Sequence, residues 1–204
     1  MGGYIPNYLK AIVIVHGKSE KQICDFIKSK LRLKLHVESD KNGEKSIQIT
    51  SVMNTLKNTN YKNETVFLKC FDDIELVSKG KKDVISDKFK IFIIMDTDDC
   101  KQCDIDNFKN KNMFRNHWAC KYITPIYNIT NLEDALLDCG VKFEKKGNDR
   151  KKEYIKIFPT DKKYLQKEIV QLEDFYEKLS KTNKSNMDVF VKFCIECSKE
   201  NSFL

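Results

Sequence analysis

The chain has 204 residues, a formal net charge of +7 and eight cysteines, and 41% of its residues are hydrophobic. This size and apolar content suit one hydrophobic core, which excludes disordered, collagen-like and coiled-coil proteins. The longest apolar runs, at 11–15 and 91–95, are far shorter than the roughly 20 residues that cross a bilayer. No secretory signal is recognisable at the start, so we expect a cytoplasmic protein without membrane association.

Short apolar strands followed by polar turns alternate with helical patterns, which is typical of an α/β fold. The first strand is predicted at 11–15, and a helix is predicted from Ser19, which forms a capping-box pattern with Gln22. A hairpin-like polar stretch at 40–43 and a short strand around 47–49 follow. Helical segments are then expected up to about residue 80.

Two further strands are predicted at 90–95 and 122–127. A helix at 132–139 is expected to end before Gly140, because glycine is favoured just past a helix C-terminus. The C-terminal third carries apolar residues at helical spacing, so we expect it to be helical.

We expect two parts in the chain. Residues 1–140 are predicted to form an α/β, Rossmann-like domain with a mostly parallel sheet flanked by helices, and residues 141–204 a basic helical C-terminal extension packed on the same core. The segment 141–184 carries 13 basic and 8 acidic residues, whereas 96–106 carries five aspartates and one lysine. Such clustered carboxylates favour a divalent cation, and the basic half favours a phosphate-bearing partner.

Polar side chains follow three of the predicted strands. His16 and Glu20 follow the first, Asp96 and Asp98 the second, and Glu133 the third. Ligands of open parallel sheets bind beyond the carboxyl ends of the strands, so we expect these side chains to line one crevice. Alternation along the chain places Asp96 and Asp98 on the same side, and their oxygens suit Mg²⁺ or Mn²⁺.

Two motifs resemble those of the Toprim fold. They are Val15-His16-Gly17-Lys18-Ser19-Glu20 after the first strand and Met95-Asp96-Thr97-Asp98 after a later one. The family pattern is a strand, Glu-Gly, a helix, and then a strand with Asp-x-Asp. The segment 123–134 is similar to the OLD and RloB-like Toprim nucleases of phage defence, in which a third carboxylate lies at a helix start. The resemblance covers about residues 11–140.

The resemblance implies a metal-dependent nuclease that cleaves phosphodiester bonds in DNA or RNA, with Mg²⁺ or Mn²⁺ held by Asp96, Asp98 and Glu133. Lys18 would then bind substrate phosphate at the helix N-terminus. The resemblance also allows a protein partner, either an ATPase or another defence protein. Further phosphate contacts are predicted for a basic loop, which contains Arg150, Lys151 and Lys152.

The chain departs from the family at the catalytic glutamate, where it has His16. Three outcomes follow: His16 transfers the proton, Glu20 takes over, or the domain is a catalytically inactive module that binds nucleic acid or a protein. Structural roles also remain open. Glu133 could form a capping box with Thr130, and Glu20 could complement the helix dipole.

A rival prediction is a small zinc-stabilised binding protein. Four residues have the spacing of a tetrahedral zinc site, namely Cys100, Cys103, His117 and Cys120. The interval between the two pairs lacks the glycines usual in a zinc knuckle. Two other cysteines, Cys194 and Cys197, share an apolar helix face and are predicted to be core thiols.

Overall fold

The structure, a computed structural model, describes residues 7–141 and 168–202. Its helices are α1 (Lys18–Lys30), α2 (Val52–Asn58), α3 (Glu64–Cys70), α4 (Gln102–Lys109), α5 (Leu132–Asp138), α6 (Glu168–Leu179) and α7 (Met187–Ser202). Its strands are β1 (Ala11–Val15), β2 (Leu35–Glu38), β3 (Leu76–Lys79), β4 (Lys82–Ile85), β5 (Lys90–Asp96) and β6 (Ile123–Asn128). Within the described residues, no helix combines the length and apolar character needed to cross a bilayer.

Four strands form one parallel sheet in the order β2-β1-β5-β6, while β3 and β4 pair as a separate antiparallel hairpin. All five residues of β1 are buried, because helices cover both faces of the sheet. The predicted α/β, Rossmann-like sheet with C-terminal helices is confirmed.

Alternate residues of β1 face two separate hydrophobic clusters. Ala11, Val13 and Val15 pack with residues of α1, α5, α6 and α7. Ile12 and Ile14 pack on the other face, with α2, α3, α4 and the end of β4. Because α6 and α7 share a cluster with the central strands, the helices after residue 168 are part of the core that holds the sheet.

The chain between the first two long strands differs from the prediction. β2 follows α1 directly, residues 40–43 form a tight 3-10 turn, and a hairpin occupies 76–85. Ile47 and Ile49 belong to a buried loop and not to a strand. Ile47 makes its backbone hydrogen bonds with His16, donating from its N–H to the His16 carbonyl at 2.8 Å.

The strand order reverses between β1 and β5. The chain goes from β1 to β2 on one side, and later builds β5 and β6 on the other side. In open α/β sheets, such a reversal opens a crevice beyond the carboxyl ends of the two strands. His16, which follows β1, and Asp96, which ends β5, therefore lie at the position where this fold binds ligands.

A tight loop covers the start of α1. Lys41, Asn42 and Gly43 have consecutive positive φ angles of 45°, 56° and 85°. A Cβ atom at Gly43 would lie 2.8 Å from the Cα and 2.9 Å from the backbone nitrogen of Lys18. Only glycine allows this contact, which places the loop against the first turn of α1.

We predict that Gly43→Ala destabilises the protein more than Gly80→Ala. Both glycines have positive φ, but a Cβ at Gly80 meets nothing within 4 Å. The Gly80 change costs only the left-handed conformation, about 1–2 kcal/mol. The Gly43 change adds a backbone clash of about 1–3 kcal/mol. Urea unfolding of the two variants measures the difference, and equal losses would contradict the contact.

Candidate active site

A pocket of about 600 Å³ opens at the carboxyl ends of β1 and β5. The start of α1, the loop after β2, the turn after β5 and the start of α5 form its walls. It brings together six of the residues predicted from the sequence, which are His16, Lys18, Glu20, Asp96, Asp98 and Glu133. Side chains from three distant segments thus surround one polar cavity.

Asp96 is the last residue of β5, and only 5% of its surface is exposed. Among the carboxylates that line the pocket, Glu20 alone is more buried. Its Oδ1 accepts a hydrogen bond of 2.9 Å from Asn128 Nδ2, and its Oδ2 lies 4.0 Å from His16 Nε2. Burial, followed by the negative charges of Glu20 and Glu133, raises the pKa of Asp96 to about 8. Its ionised form is therefore costly unless a positive charge is supplied.

A buried chain of hydrogen bonds orients Asp96. The N–H of Met187 donates to Ser185 Oγ at 3.0 Å, and the Ser185 hydroxyl donates to Asn128 Oδ1 at 2.8 Å. Since that oxygen is occupied, the Asn128 amide group turns its Nδ2 towards Asp96. The start of α7 therefore determines which way the Asp96 carboxylate faces.

His16 is held by the loop after β2. Its Nδ1 lies 2.9 Å from the carbonyl oxygen of Ile47. A carbonyl can only accept, so Nδ1 carries the hydrogen, and in the neutral ring Nε2 carries the lone pair. Nε2 faces Asp96 across the pocket wall.

Glu20 caps α1 and also lines the pocket. Helix α1 begins at Lys18 with Gly17 as its N-cap, and the Gly17 N–H donates to Glu20 Oε2 at 3.0 Å. The predicted capping box from Ser19 to Gln22 is therefore wrong, because the N-cap, Gly17, lies two residues before Ser19. Glu20 is 2% exposed, and its charge contributes to the raised pKa of Asp96.

Glu133 does not cap α5. The N-cap is Asn131, whose Oδ1 accepts from the Asp134 N–H at 2.9 Å. The capping box considered for Thr130 and Glu133 is therefore not formed; Thr130 has a φ of 64° and precedes the cap. Glu133 is half-buried and faces the pocket, where its charge acts on Asp96.

The pocket rim carries further polar groups. Asp98 and Lys18 are exposed at its edge. Asp98 Oδ1 accepts from the Asp99 N–H at 3.0 Å, and Asp99 Oδ2 accepts from Gln48 Nε2 at 3.3 Å. Asp96 is thus a buried carboxylate, and Asp98 a solvated one that could turn towards a ligand.

The four zinc candidates do not form a site in the described residues. The His117 ring is buried, with Nε2 against the Leu56 carbonyl and Nδ1 accepting from the Ala119 N–H. Cys100 and Cys120 pack against the apolar cluster, and Cys103 is exposed on α4. The spacing predicted zinc, but the backbone already engages both nitrogens of the imidazole. The predicted phosphate contacts Arg150, Lys151 and Lys152 lie outside the described residues.

The chemistry of the pocket fits a divalent cation. Glu20, Asp96 and Glu133 supply carboxylate oxygens, and the charge repulsion among them is what a cation relieves. In the described part of the chain, no three His, Cys, Asp or Glu side chains stand close enough to hold an ion as they are. A cation would draw in the solvated carboxylates or keep water in part of its shell, as Mg²⁺ usually does.

The sequence reasoning did not identify three residues of this site. Asn128 and Ser185 orient Asp96, and Gln48 holds Asp99. Asn128 carried a signal, since it is a polar residue at the end of a buried strand. Ser185 carried none, because it lies 57 positions along the chain from its partner Asn128.

We predict that Asp96→Asn stabilises the protein increasingly as pH rises. Between about pH 4, the pKa of an unfolded aspartate, and about pH 8, the folded state retains a proton that the unfolded state has lost, so wild-type stability falls with pH. Asparagine does not titrate, so its advantage grows to about 2–5 kcal/mol at pH 8. Urea unfolding at pH 5 and pH 8 measures it. Asp98→Asn is the control, because Asp98 is exposed. If the stability difference between Asp96→Asn and the wild type does not change with pH, the pKa of Asp96 is not raised by burial.

Removing the Ser185 hydroxyl interrupts the chain that orients Asp96. Ser185→Ala leaves Asn128 Oδ1 without its donor, and we expect a loss of about 1–3 kcal/mol in the free energy of unfolding. Ser180→Ala is the control, because the Ser180 hydroxyl is exposed and bonds the Glu177 carbonyl. Thermal and urea unfolding report both. If Ser185→Ala lowers the free energy of unfolding no more than Ser180→Ala does, this chain of hydrogen bonds does not contribute to stability.

Comparison of the chain with protein-family models, with curated proteins and with solved structures finds no match. The interpretation of the pocket therefore depends on its own residues: the strand order that creates it, the carboxylates that line it and the hydrogen bonds that orient them. The resemblance to the Toprim family likewise depends on the two short motifs after β1 and β5.

Proposed function

We propose that this chain is a metal-dependent, Toprim-like nuclease that cleaves phosphodiester bonds of nucleic acid. One observation carries the proposal: Glu20, Asp96 and Glu133, from three separate segments, face one open pocket where the strand order reverses. Burying carboxylates together is costly, and a fold keeps such an arrangement where a cation compensates it.

Asp96 and Glu133 are the residues that would hold the cation, with Asp98 at the rim as a further oxygen donor. A bound divalent ion would polarise the phosphoryl group and neutralise the charge that develops during its displacement. Asp96 offers Oδ2 for this role, because Asn128 occupies Oδ1. The hydrogen bonds behind Asp96 keep that oxygen directed at the pocket.

The same pocket offers a place for the substrate phosphate. Helix α1 begins in the wall with Lys18, and the first backbone N–H groups of a helix attract anions. Lys18 is exposed and can reach a phosphate at the rim. Asp96 and Glu133 line the same cavity as this helix start, and such a combination suits an anionic substrate bound next to a cation.

The open shape supports a polymeric substrate more than a small enclosed one. The pocket of about 600 Å³ is continuous with the surface and is lined almost entirely by polar side chains. A nucleic-acid strand could place one phosphodiester in it while its neighbours stay outside.

We predict that the purified chain cleaves labelled DNA or RNA in Mg²⁺ or Mn²⁺ and not in EDTA. Asp96→Asn is expected to lower the cleavage rate by about 100-fold or more, since it removes a charged metal ligand at nearly constant shape. Single-stranded and double-stranded forms of both nucleic acids are needed as substrates, with the products resolved on denaturing gels.

The matched control is Asp106→Asn. Asp106 belongs to the same run of aspartates, but it is exposed on α4 and bonds Gln102 outside the pocket. It is expected to retain wild-type activity. Unchanged cleavage in Asp96→Asn would refute the proposal. Metal and nucleic-acid binding with no cleavage of any substrate would favour the inactive binding module instead.

A further inference from the structure

We infer that His16 Nε2 is a metal ligand, and that it makes the pocket a mixed nitrogen and oxygen site which prefers Mn²⁺ and related transition ions to Mg²⁺. The inference rests on the proposed metal site and deepens it, because it names the ion and the nitrogen that selects it. The hydrogen bonding of His16 and the position of Asp96 carry it.

The Ile47 carbonyl prepares the imidazole for this role. It accepts from Nδ1 at 2.9 Å, so the second nitrogen, Nε2, carries the lone pair of the neutral ring. Metal-binding histidines almost always donate their other ring N–H to such an acceptor, which fixes both the ring orientation and the tautomer. Within the described residues, Nε2 makes no hydrogen bond, and Asp96 Oδ2 lies 4.0 Å from it.

The distance between the two side chains suits a shared ion. His16 Nε2 and Asp96 Oδ2 are 4.0 Å apart, too far for a hydrogen bond. Two donors bound to one ion at about 2.1 Å are between roughly 3 and 4.2 Å apart, according to the angle between the bonds. Little movement is therefore needed for both atoms to reach the same cation.

The pair formed by His16 and Asp96 differs from an ordinary surface contact because both side chains are largely buried. The side chains of His16 and Asp96 are 12% and 8% exposed. Asp96 is thus more than nine-tenths buried, its Oδ1 is taken by Asn128, and its Oδ2 has no hydrogen-bond donor among the described residues. An oxygen and a nitrogen, neither of which has a hydrogen-bond partner in the described part of the chain, therefore face each other at the pocket wall.

The donor set decides which ion is favoured. Mg²⁺ prefers oxygen ligands, whereas imidazole suits transition ions, whose affinity for such sites rises from Mn²⁺ towards the end of the series. With a glutamate in place of His16 the site would offer oxygen donors only. The histidine therefore shifts selectivity away from Mg²⁺.

The test measures metal binding directly and does not depend on cleavage. The chelator-treated full chain is titrated with Mn²⁺ and with Mg²⁺ by calorimetry, and the Mn²⁺-loaded protein is studied by pulsed EPR for coupling to ¹⁴N. We expect Mn²⁺ to bind at least about tenfold more tightly than Mg²⁺ and to show nitrogen coupling.

Three variants isolate the nitrogen. His16→Asn can keep a side-chain N–H for the Ile47 carbonyl while it removes Nε2, so it should lose the nitrogen coupling and most of the preference. His16→Glu should bring the Mn²⁺ and Mg²⁺ affinities together. His36→Gln is the control, since the exposed His36 lies 3.8 Å from Glu38 outside the pocket, and it should change neither result.

Failure of the inference can be told from failure of the proposed function. Absence of nitrogen coupling in wild-type protein that binds Mn²⁺, equal affinities for the two ions, or no Mn²⁺ binding would each overturn the inference, whether or not a variant folds. Cleavage in Mg²⁺ with equal affinities would leave the nuclease proposal standing. Selective Mn²⁺ binding without cleavage would leave the ligand assignment standing and refute the nuclease.

Discussion

One constraint dominates the candidate site, the burial of the Asp96 carboxyl group at the end of the central strand β5. A carboxylate in that position loses its hydration, and Glu20 and Glu133 add like charge. The fold offsets part of this cost with a directed hydrogen bond from Asn128. The folded state avoids the remaining cost by keeping Asp96 protonated up to about pH 8, so the stability of the domain depends on the protonation of this one group.

The second helical layer supports that carboxylate. Ser185 and Met187, at the start of α7, direct the Asn128 amide, so the C-terminal helices both fill one face of the core and orient the site. A buried polar chain of this kind is rigid when every member is satisfied. The start of α7 therefore supports the geometry of the pocket, even though no described side chain of α6 or α7 lines it.

The loop between β2 and α2 has the corresponding role for His16. Gly43 lets the loop approach the first turn of α1, and Ile47 holds the imidazole from the other side. Three consecutive left-handed residues are an unusual conformation, which the packing of the loop against α1 maintains. Conformational strain and buried charge thus lie in the same region of the molecule, as is common at functional sites.

The sequence alone determined the α/β class, the strands β1, β5 and β6, and the polar residues that follow them, because short apolar runs and strand-end carboxylates are local signals. It misplaced the N-cap of α1 by two residues and left the cap of α5 undecided, because neighbouring polar residues offer competing caps. It missed β2 and the β3-β4 hairpin, whose strands are short and largely exposed or half-buried. Only the tertiary structure decided that Ser185 orients Asn128, that the Leu56 carbonyl engages the His117 ring, and that Ile47 holds His16. These are contacts between residues 31 to 61 positions apart, and no local pattern encodes them.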